Sequence, residues 1–381
     1  MKSPSHDSAS AAAELFVGVL SGTSVDAIDA AVVRFGPRVE LVATHSLAYP
    51  EALRAELLAL AVPGANEIDR LGQADAGVGR LFAQAVRELL ERAGLKADAI
   101  RAVGSHGQTI RHRPGLPVPF TLQVGDPNLI AAGTGIPVAA DFRRKDMALG
   151  GQGAPLVPAF HEAIFRTQGV DRVVINIGGI ANLTILPGNS ALPVGGFDSG
   201  PGNTLLDAWS RRVLREPMDR GGALAARGQV APGLLEACLA DPYFSQLPPK
   251  STGPEYFSMA WLQRHLDASG PLADADVQAT LLALTTQTLS SAIRQHAGLG
   301  RQEVFVCGGG AKNDALMRSL QDHLAGCVVE RTDVLGVAGD WVEAMAFAWF
   351  ARQRLAAGVG NCPEVTGASR PAVLGGLWLP E

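Results

Sequence analysis

The chain has 381 residues, enough for two domains at roughly 150 residues each. Its 32 Lys and Arg against 37 Asp and Glu leave a net charge of −5, which excludes sequence-independent binding to nucleic acid. Its four cysteines, at 238, 307, 327 and 362, form neither a CxxC pair nor a metal-ligand spacing, and read as reduced thiols of a cytoplasmic protein.

Residues 1–14 are small and polar and predict a disordered leader; they lack the basic-then-apolar layout of a secretory signal. No apolar run is long enough to cross a bilayer. An apolar strand, Leu15 to Leu20, then enters the turn Ser21-Gly22-Thr23-Ser24. Val25, Asp26, Ala27, Ile28 and Asp29 follow, and a second strand runs from Ala30 to Phe35. Gly22 admits close approach of backbone to a ligand, and hydroxyls beside exposed N–H groups suit a phosphate chain. A nearby carboxylate, Asp26, is compatible with phosphate if it acts through the water shell of Mg²⁺. An ordinary hairpin with a hydroxyl-rich turn accounts for this stretch equally, since it is not a GxxxxGK[ST] loop.

Val39 to Leu47 reads as a third strand, and 51–61 and 67–93 as helices, with Leu71, Val78, Leu81, Phe82 and Leu89 on one face. A short strand, Ile100 to Val103, ends in Gly104-Ser105-His106-Gly107-Gln108-Thr109. Small and polar groups at a strand's carboxyl end are what open α/β sites use, although His106 also reads as a structural loop histidine. A strand, a turn at Gly125-Asp126, a short helix and a strand ending at Asp141 come next. The polar, glycine-rich stretch 143–153 begins with Arg143, Arg144 and Lys145, either a solvated surface or a partner for an anionic group.

Residues 173–186, VVINIGGIANLTIL, repeat the opening layout of strand, small-residue turn and strand, and predict two related α/β halves. Asp198 is placed between a strand and a Gly-Pro-Gly turn opening a helix, where a carboxylate serves either as a cap or as a catalytic base. Residues 211–300 are predicted mostly helical, with 248–258 a loop running into a helix at Trp261. The strand 303–307 runs into three glycines and a helix, a candidate for a nucleotide base or equally a tight turn. Glu343 interrupts an apolar helix and must be paired, solvated or functional.

Taken together, SGTSVDAID, SHGQT, DFRRKDMALGGQGAPLVP, NIGGIANLT, GFDSGPGNTLLDAW, PPKSTGPEYF, VCGGGAKN and VTGASR resemble the anhydro-N-acetylmuramic acid kinases, in order and spacing from Leu15 to the C-terminus. Ala27 stands where that family usually has glycine. The resemblance implies an α/β fold of two actin-like ATPase (ribonuclease H-like) domains around a cleft, with 15–145 plus 362–381 forming the first and 146–361 the second. It implies an ATP- and Mg²⁺-dependent enzyme that opens the anhydro bridge of 1,6-anhydro-N-acetylmuramic acid and phosphorylates O6, recycling peptidoglycan sugar in the cytoplasm. Its partners would be small molecules, with neither nucleic acid nor membrane, and a homodimer is an allowed state.

By the same resemblance Asp198 is the base that activates water. The turn Ser21 to Ser24 holds the β/γ-phosphates within a cofactor-binding stretch Ser21 to Asp29, with Asp26 on Mg²⁺ through water. Gly178, Gly179 and Asn182 make a second phosphate turn, and Gly308, Gly309, Gly310 and Asn313 the nucleoside site. His106, Gln108, Asp126, Asp141, Arg143 and Glu343 fall on the sugar side. A plain sugar kinase acting on a free hydroxyl, and a non-catalytic actin-like ATP-binding module, are the two other readings.

Overall fold

The structure, a computed structural model, describes residues 13–22, 25–253, 255–297 and 302–380. The chain divides into two compact units. One comprises the chain up to Lys145 with Glu343–Val359 and Val373–Glu381; the other comprises Asp146–Val342 and Gly360–Ala372. Strands β1 (Glu14–Ser21), β2 (Ala27–Phe35), β3 (Val39–Ala48), β4 (Ile100–Arg113), β5 (Phe120–Val124) and β6 (Val138–Ala140) fall in the first unit. Strands β7 (Arg172–Ile177), β8 (Ile180–Leu186), β9 (Gly195–Pro201), β10 (Glu303–Cys307) and β11 (Val328–Arg331) fall in the second, and β12 (Gly376–Trp378) returns to the first.

The first sheet runs β12-β6-β4-β1-β2-β3, with β5 on the far half of β4. Its central strand β1 is buried from Phe16 to Ser21, the continuous apolar pattern of a strand covered on both faces. One cover is the helix Glu67–Ala93, whose Val78, Phe82, Val86 and Leu89 recur at helical spacing and are fully buried. The other is the helix Val342–Leu355. A methyl group on Gly18 would overlap the Ala344 carbonyl oxygen, and one on Gly104 that of Phe347. Glycine at those two strand positions lets the helix backbone lie directly on β1 and β4, which is why 343–359, expected in the second domain, belongs to the first.

The second sheet runs β11-β10-β7-β8-β9. Here β7, β8 and β9 are successive antiparallel strands, while β10 is parallel to both β7 and β11. That repeats the first sheet, where β1, β2 and β3 are successive antiparallel strands and β4 is parallel to β1. The helix Asp274–His296 is buried on most of its surface, with Val277, Leu281, Leu284, Leu289 and Ile293 in the core of this unit. Residues 362–372, expected in the first domain, belong to the second for a polar reason. Asn361 Nδ2 and Thr366 Oγ1 each donate to Asp146 Oδ1 at 2.8 Å, and the Gly153 N–H donates to Oδ2 at 2.8 Å. A fully buried carboxylate satisfied by three donors fixes both segments at once.

Several expected boundaries move. Glu14, expected in the leader, pairs with Phe35 in β1, and the rest of that leader up to residue 12 lies outside the described residues. The short strand expected at 100–103 continues to Arg113, because β4 exchanges its parallel neighbours for antiparallel pairing with β5 from Gln108 onward. Arg143, Arg144 and Lys145, at the start of the polar stretch 143–153, lie on the helix Phe142–Ala148. Among the described residues no helix is long and apolar enough to cross a membrane.

Candidate active site

In the second unit, register places Cys307, Asn176, Asn182 and Asp198 side by side across β10, β7, β8 and β9. Asp198 is inside β9, because pairing with β8 carries the strand on to Pro201 opposite Ile180. It is therefore no helix cap. The helix Thr204–Val213 begins beyond it, preceded by Asn203. Asp198 Oδ2 accepts the Thr252 N–H at 2.9 Å, its own N–H donates to the Lys250 carbonyl at 3.2 Å, and its carbonyl accepts the Tyr243 hydroxyl at 2.7 Å. Burial pushes the carboxyl up to about 6, against the lowering effect of the Thr252 N–H. Such a group is ionised at neutral pH yet basic enough to take a proton, as a general base requires.

Gly178 and Gly179 form the two-residue turn between β7 and β8. The Gly178 carbonyl accepts the Asn203 N–H at 2.8 Å, and the Gly179 carbonyl accepts those of Gly202 and Thr204 at 2.9 and 3.0 Å. In a trans peptide the N–H points opposite to the carbonyl. The N–H groups of Gly179 and Ile180 consequently face away from that helix, two successive donors of the kind that gather an anion. Gly308 has φ +79 and leaves no room for a side chain beside the Asn176 amide, while Gly309 is exposed next to Asn203. Asn313, expected at the nucleoside, caps the helix Asp314–His323 by accepting the Leu316 N–H at 3.1 Å.

In the first unit, Ser21, Ser105 and Gln108 are each about 1% exposed, and register places Ser21 beside Gln108 and Val19 beside Ser105. Ser105 Oγ and Gln108 Oε1 are buried without a hydrogen-bond partner among the described residues. Each such atom costs about 1–3 kcal/mol unless a ligand or water completes it, so these strand ends fit a polar ligand. His106 follows Ser105 on β4 rather than in a loop. Arg143 directs Nε and Nη2 at His106 Nε2, at 3.1 and 3.0 Å. A guanidinium only donates, so His106 Nε2 is the acceptor and the ring proton sits on Nδ1. Burial, then the Arg143 charge, holds this histidine well below its ordinary pKa, so it is neutral.

The remaining expected residues of this unit are more dispersed. Asp126 caps the helix Pro127–Thr134, accepting the Asn128 N–H at 2.8 Å. Asp141, with φ +59, pairs with Arg144 at 2.7 Å. Glu343 is exposed in the first turn of the helix Val342–Leu355. In the expected phosphate turn, the Val25 N–H reaches the Gly22 carbonyl at 3.1 Å, and Val25 has φ +53, a strained value for a β-branched residue. Thr23 and Ser24 lie outside the described residues. Asp26 is exposed and pairs with Arg54 at 3.1 Å. Ala27, Ile28 and Asp29 begin β2, where Ile28 pairs with Ser21 and is fully buried in the core.

Sequence reasoning missed Thr252, Tyr243 and Asp146. Thr252 acts through a backbone N–H, which any residue but proline supplies. Tyr243 precedes the expected loop and reaches Asp198 across 45 residues of chain. Among the described residues no group of three or more His, Cys, Asp or Glu is placed to hold a metal.

Strand ends opening onto glycine turns, in each of two α/β units, define a protein of the α/β class. Residues 14–380 match the profile of a family described as anhydro-N-acetylmuramic acid kinase. A protein of that name from Shewanella amazonensis is 53% identical over 362 residues, covering 95% of this chain and 97% of the relative. Its namesake from Shewanella oneidensis is 52% identical with the same coverage. Among solved structures, the (R)-2-hydroxyglutaryl-CoA dehydratase component A of Acidaminococcus fermentans superposes with a TM-score of 0.47 at 12% identity, covering 90% of this chain and 99% of that one. The chain belongs to the anhydro-N-acetylmuramic acid kinase family, and it is an enzyme, a kinase.

Proposed function

We propose that the enzyme uses ATP to phosphorylate O6 of 1,6-anhydro-N-acetylmuramic acid while water opens the anhydro bridge, giving N-acetylmuramic acid 6-phosphate and ADP. The setting is the recycling of cell-wall sugar in the cytoplasm. The observation that carries this reading is the half-buried Asp198 carboxylate, held by the Thr252 N–H and raised by desolvation to about 6. In the anhydro-sugar O6 is bonded to C1, so no free 6-hydroxyl exists to attack a phosphate. A base must first make water a nucleophile. Asp198 takes a proton from water, the water oxygen bonds to C1, and the C1–O6 bond breaks. O6 then takes the γ-phosphoryl group as its bond to the ADP oxygen breaks. Nothing in a plain hydroxyl kinase needs that water.

The other residues position and neutralise. On the second unit, the Gly178-Gly179 turn with Asn182 holds phosphate oxygens, and Gly308 to Gly310 accept the nucleoside against bare backbone. On the first unit, Ser21 to Asp26 hold phosphate, with Asp26 in the water shell of Mg²⁺; the ion, when bound, offsets phosphate charge. His106, as a neutral Nδ1–H donor oriented by Arg143, and Gln108 serve the sugar, with Asp126, Asp141 and Glu343 in outlying roles. The test is mass spectrometry of the product formed from anhydro-sugar and ATP in ¹⁸O-water, quenched before the anomeric oxygen exchanges. The label is expected at C1 and absent from the phosphate. Unlabelled sugar phosphate, or turnover only on sugars with a free hydroxyl, would rule the reading out.

A further inference from the structure

We propose that the segment from Asp241 to Gly253 is a clasp that holds the Asp198 carboxylate out of water and fixes its direction, with Tyr243 and Asp241 as its positioning residues. This rests on Asp198 being the base. Among the described residues the sheet ends at β9, so the outward backbone groups of that strand have no neighbouring strand there to pair with. The clasp takes them. It receives the Asp198 N–H at the Lys250 carbonyl, gives the Tyr243 hydroxyl to the Asp198 carbonyl, and gives the Thr252 N–H to the carboxylate. One short segment thus grips the donor, the acceptor and the side chain of a single residue.

The clasp is itself anchored. Asp241 accepts the Tyr243 N–H at 2.9 Å, the Tyr256 hydroxyl at 2.8 Å and the Trp261 indole N–H at 2.8 Å. Tyr243, Phe257 and Trp261 are buried ring against ring, with centroids 5.5 and 5.3 Å apart. Lys250 donates to the Tyr243 carbonyl at 3.2 Å, with its ammonium 4.8 Å from the Tyr243 ring and 5.8 Å from that of Phe197. Among the described residues, the titratable and charged groups around Asp198 are Tyr243, Lys250 and, against Phe197, His296. Lys250 and His296 are both turned to Phe197, the strand neighbour of Asp198, and side chains of successive strand residues point to opposite faces. Exclusion of water and the Thr252 N–H therefore set the behaviour of the carboxylate, in opposite senses.

That opposition gives the test its sign. Removing the Tyr243 hydroxyl loosens the clasp and admits water, while removing the Thr252 N–H deletes the one effect that favours the ionised form. In the full-length enzyme with ATP and anhydro-sugar, Tyr243→Phe should move the acid limb of kcat down from about 6 by roughly half to one pH unit. The kcat itself should fall roughly tenfold, with KM for ATP unchanged. Thr252→Pro should move the limb up. An acid limb that stays at the wild-type position in a folded Tyr243→Phe enzyme overturns the clasp, even if its melting temperature drops, and that variant decides the matter should Thr252→Pro not fold. Asp198→Asn separates the two claims. If its turnover stays near the wild-type level, the base assignment has failed; if turnover falls by about 10²-fold or more and the Tyr243→Phe limb is unmoved, only the clasp has.

Discussion

At the residue scale, the base proposed at Asp198 must be both desolvated and ionised. The half-buried carboxylate has one backbone N–H on Oδ2 and, among the described residues, no cation in its first contacts, so desolvation rather than charge dominates its behaviour. Asp198→Asn preserves the shape and can still accept from Thr252. Turnover should fall on the order of 10²–10⁴-fold, the range for a lost general base, with nucleotide and sugar affinities unchanged by calorimetry. Weakened binding of both ligands would instead mark the residue as structural. The His106–Arg143 pair makes a second prediction. Arg143→Lys keeps the charge but loses the planar two-donor grip on Nε2. One lost hydrogen bond of about 1 kcal/mol should raise KM for the sugar roughly fivefold while leaving KM for ATP alone. An unchanged sugar KM would take His106 out of the sugar site.

Between elements, the tightest fit is backbone on backbone. A methyl group at Gly18 would overlap the Ala344 carbonyl oxygen, and neither strand nor buried helix can retreat without opening the core on its other face. Gly18→Ala should cost at least about 1–3 kcal/mol in urea unfolding, whereas Gly115→Ala, which has open space around it, should cost nothing measurable. Equal midpoints for the two variants would refute the close packing. The same contact shows where sequence reading stops. The helix 67–93 is legible because its apolar positions repeat every three to four residues, and the strand–turn–strand units are legible from small residues between β-branched runs. The unit to which 343–359 belongs is not, since a buried helix is apolar all round and its partner is marked only by two glycines in distant strands. Asp198 was legible as a candidate, yet its place inside β9 depends on pairing with β8. Thr252 was invisible because its contribution is a peptide N–H.

For the whole molecule, two desolvated groups pull stability in opposite directions as pH changes. His161 is fully buried, bonded through Nδ1 to the Thr184 hydroxyl, and burial pushes it down to about 3. The unfolded chain takes a proton there below about 6.5 and the folded chain does not until about 3, so stability is lost as pH falls through that window. Asp198 has the reverse sign. Below 3.8 it is protonated in both states and neutral in its effect; between 3.8 and about 6 only the unfolded state ionises, so stability is lost as pH rises. Above about 6 both states are ionised and the deficit is constant, on the order of 3 kcal/mol for that gap. Asp198→Asn should therefore be more stable than the wild type in urea unfolding at pH 7.5, by up to about 3 kcal/mol, and no more stable at pH 3.5. His161 contributes equally to both proteins, so the difference between them isolates Asp198. The variant would be inactive and sturdier at once, the trade expected where a strained group serves chemistry. A variant no more stable than wild type at pH 7.5 would mean that the half-buried carboxylate is compensated in the folded protein, and its value as a base would have to come from geometry alone.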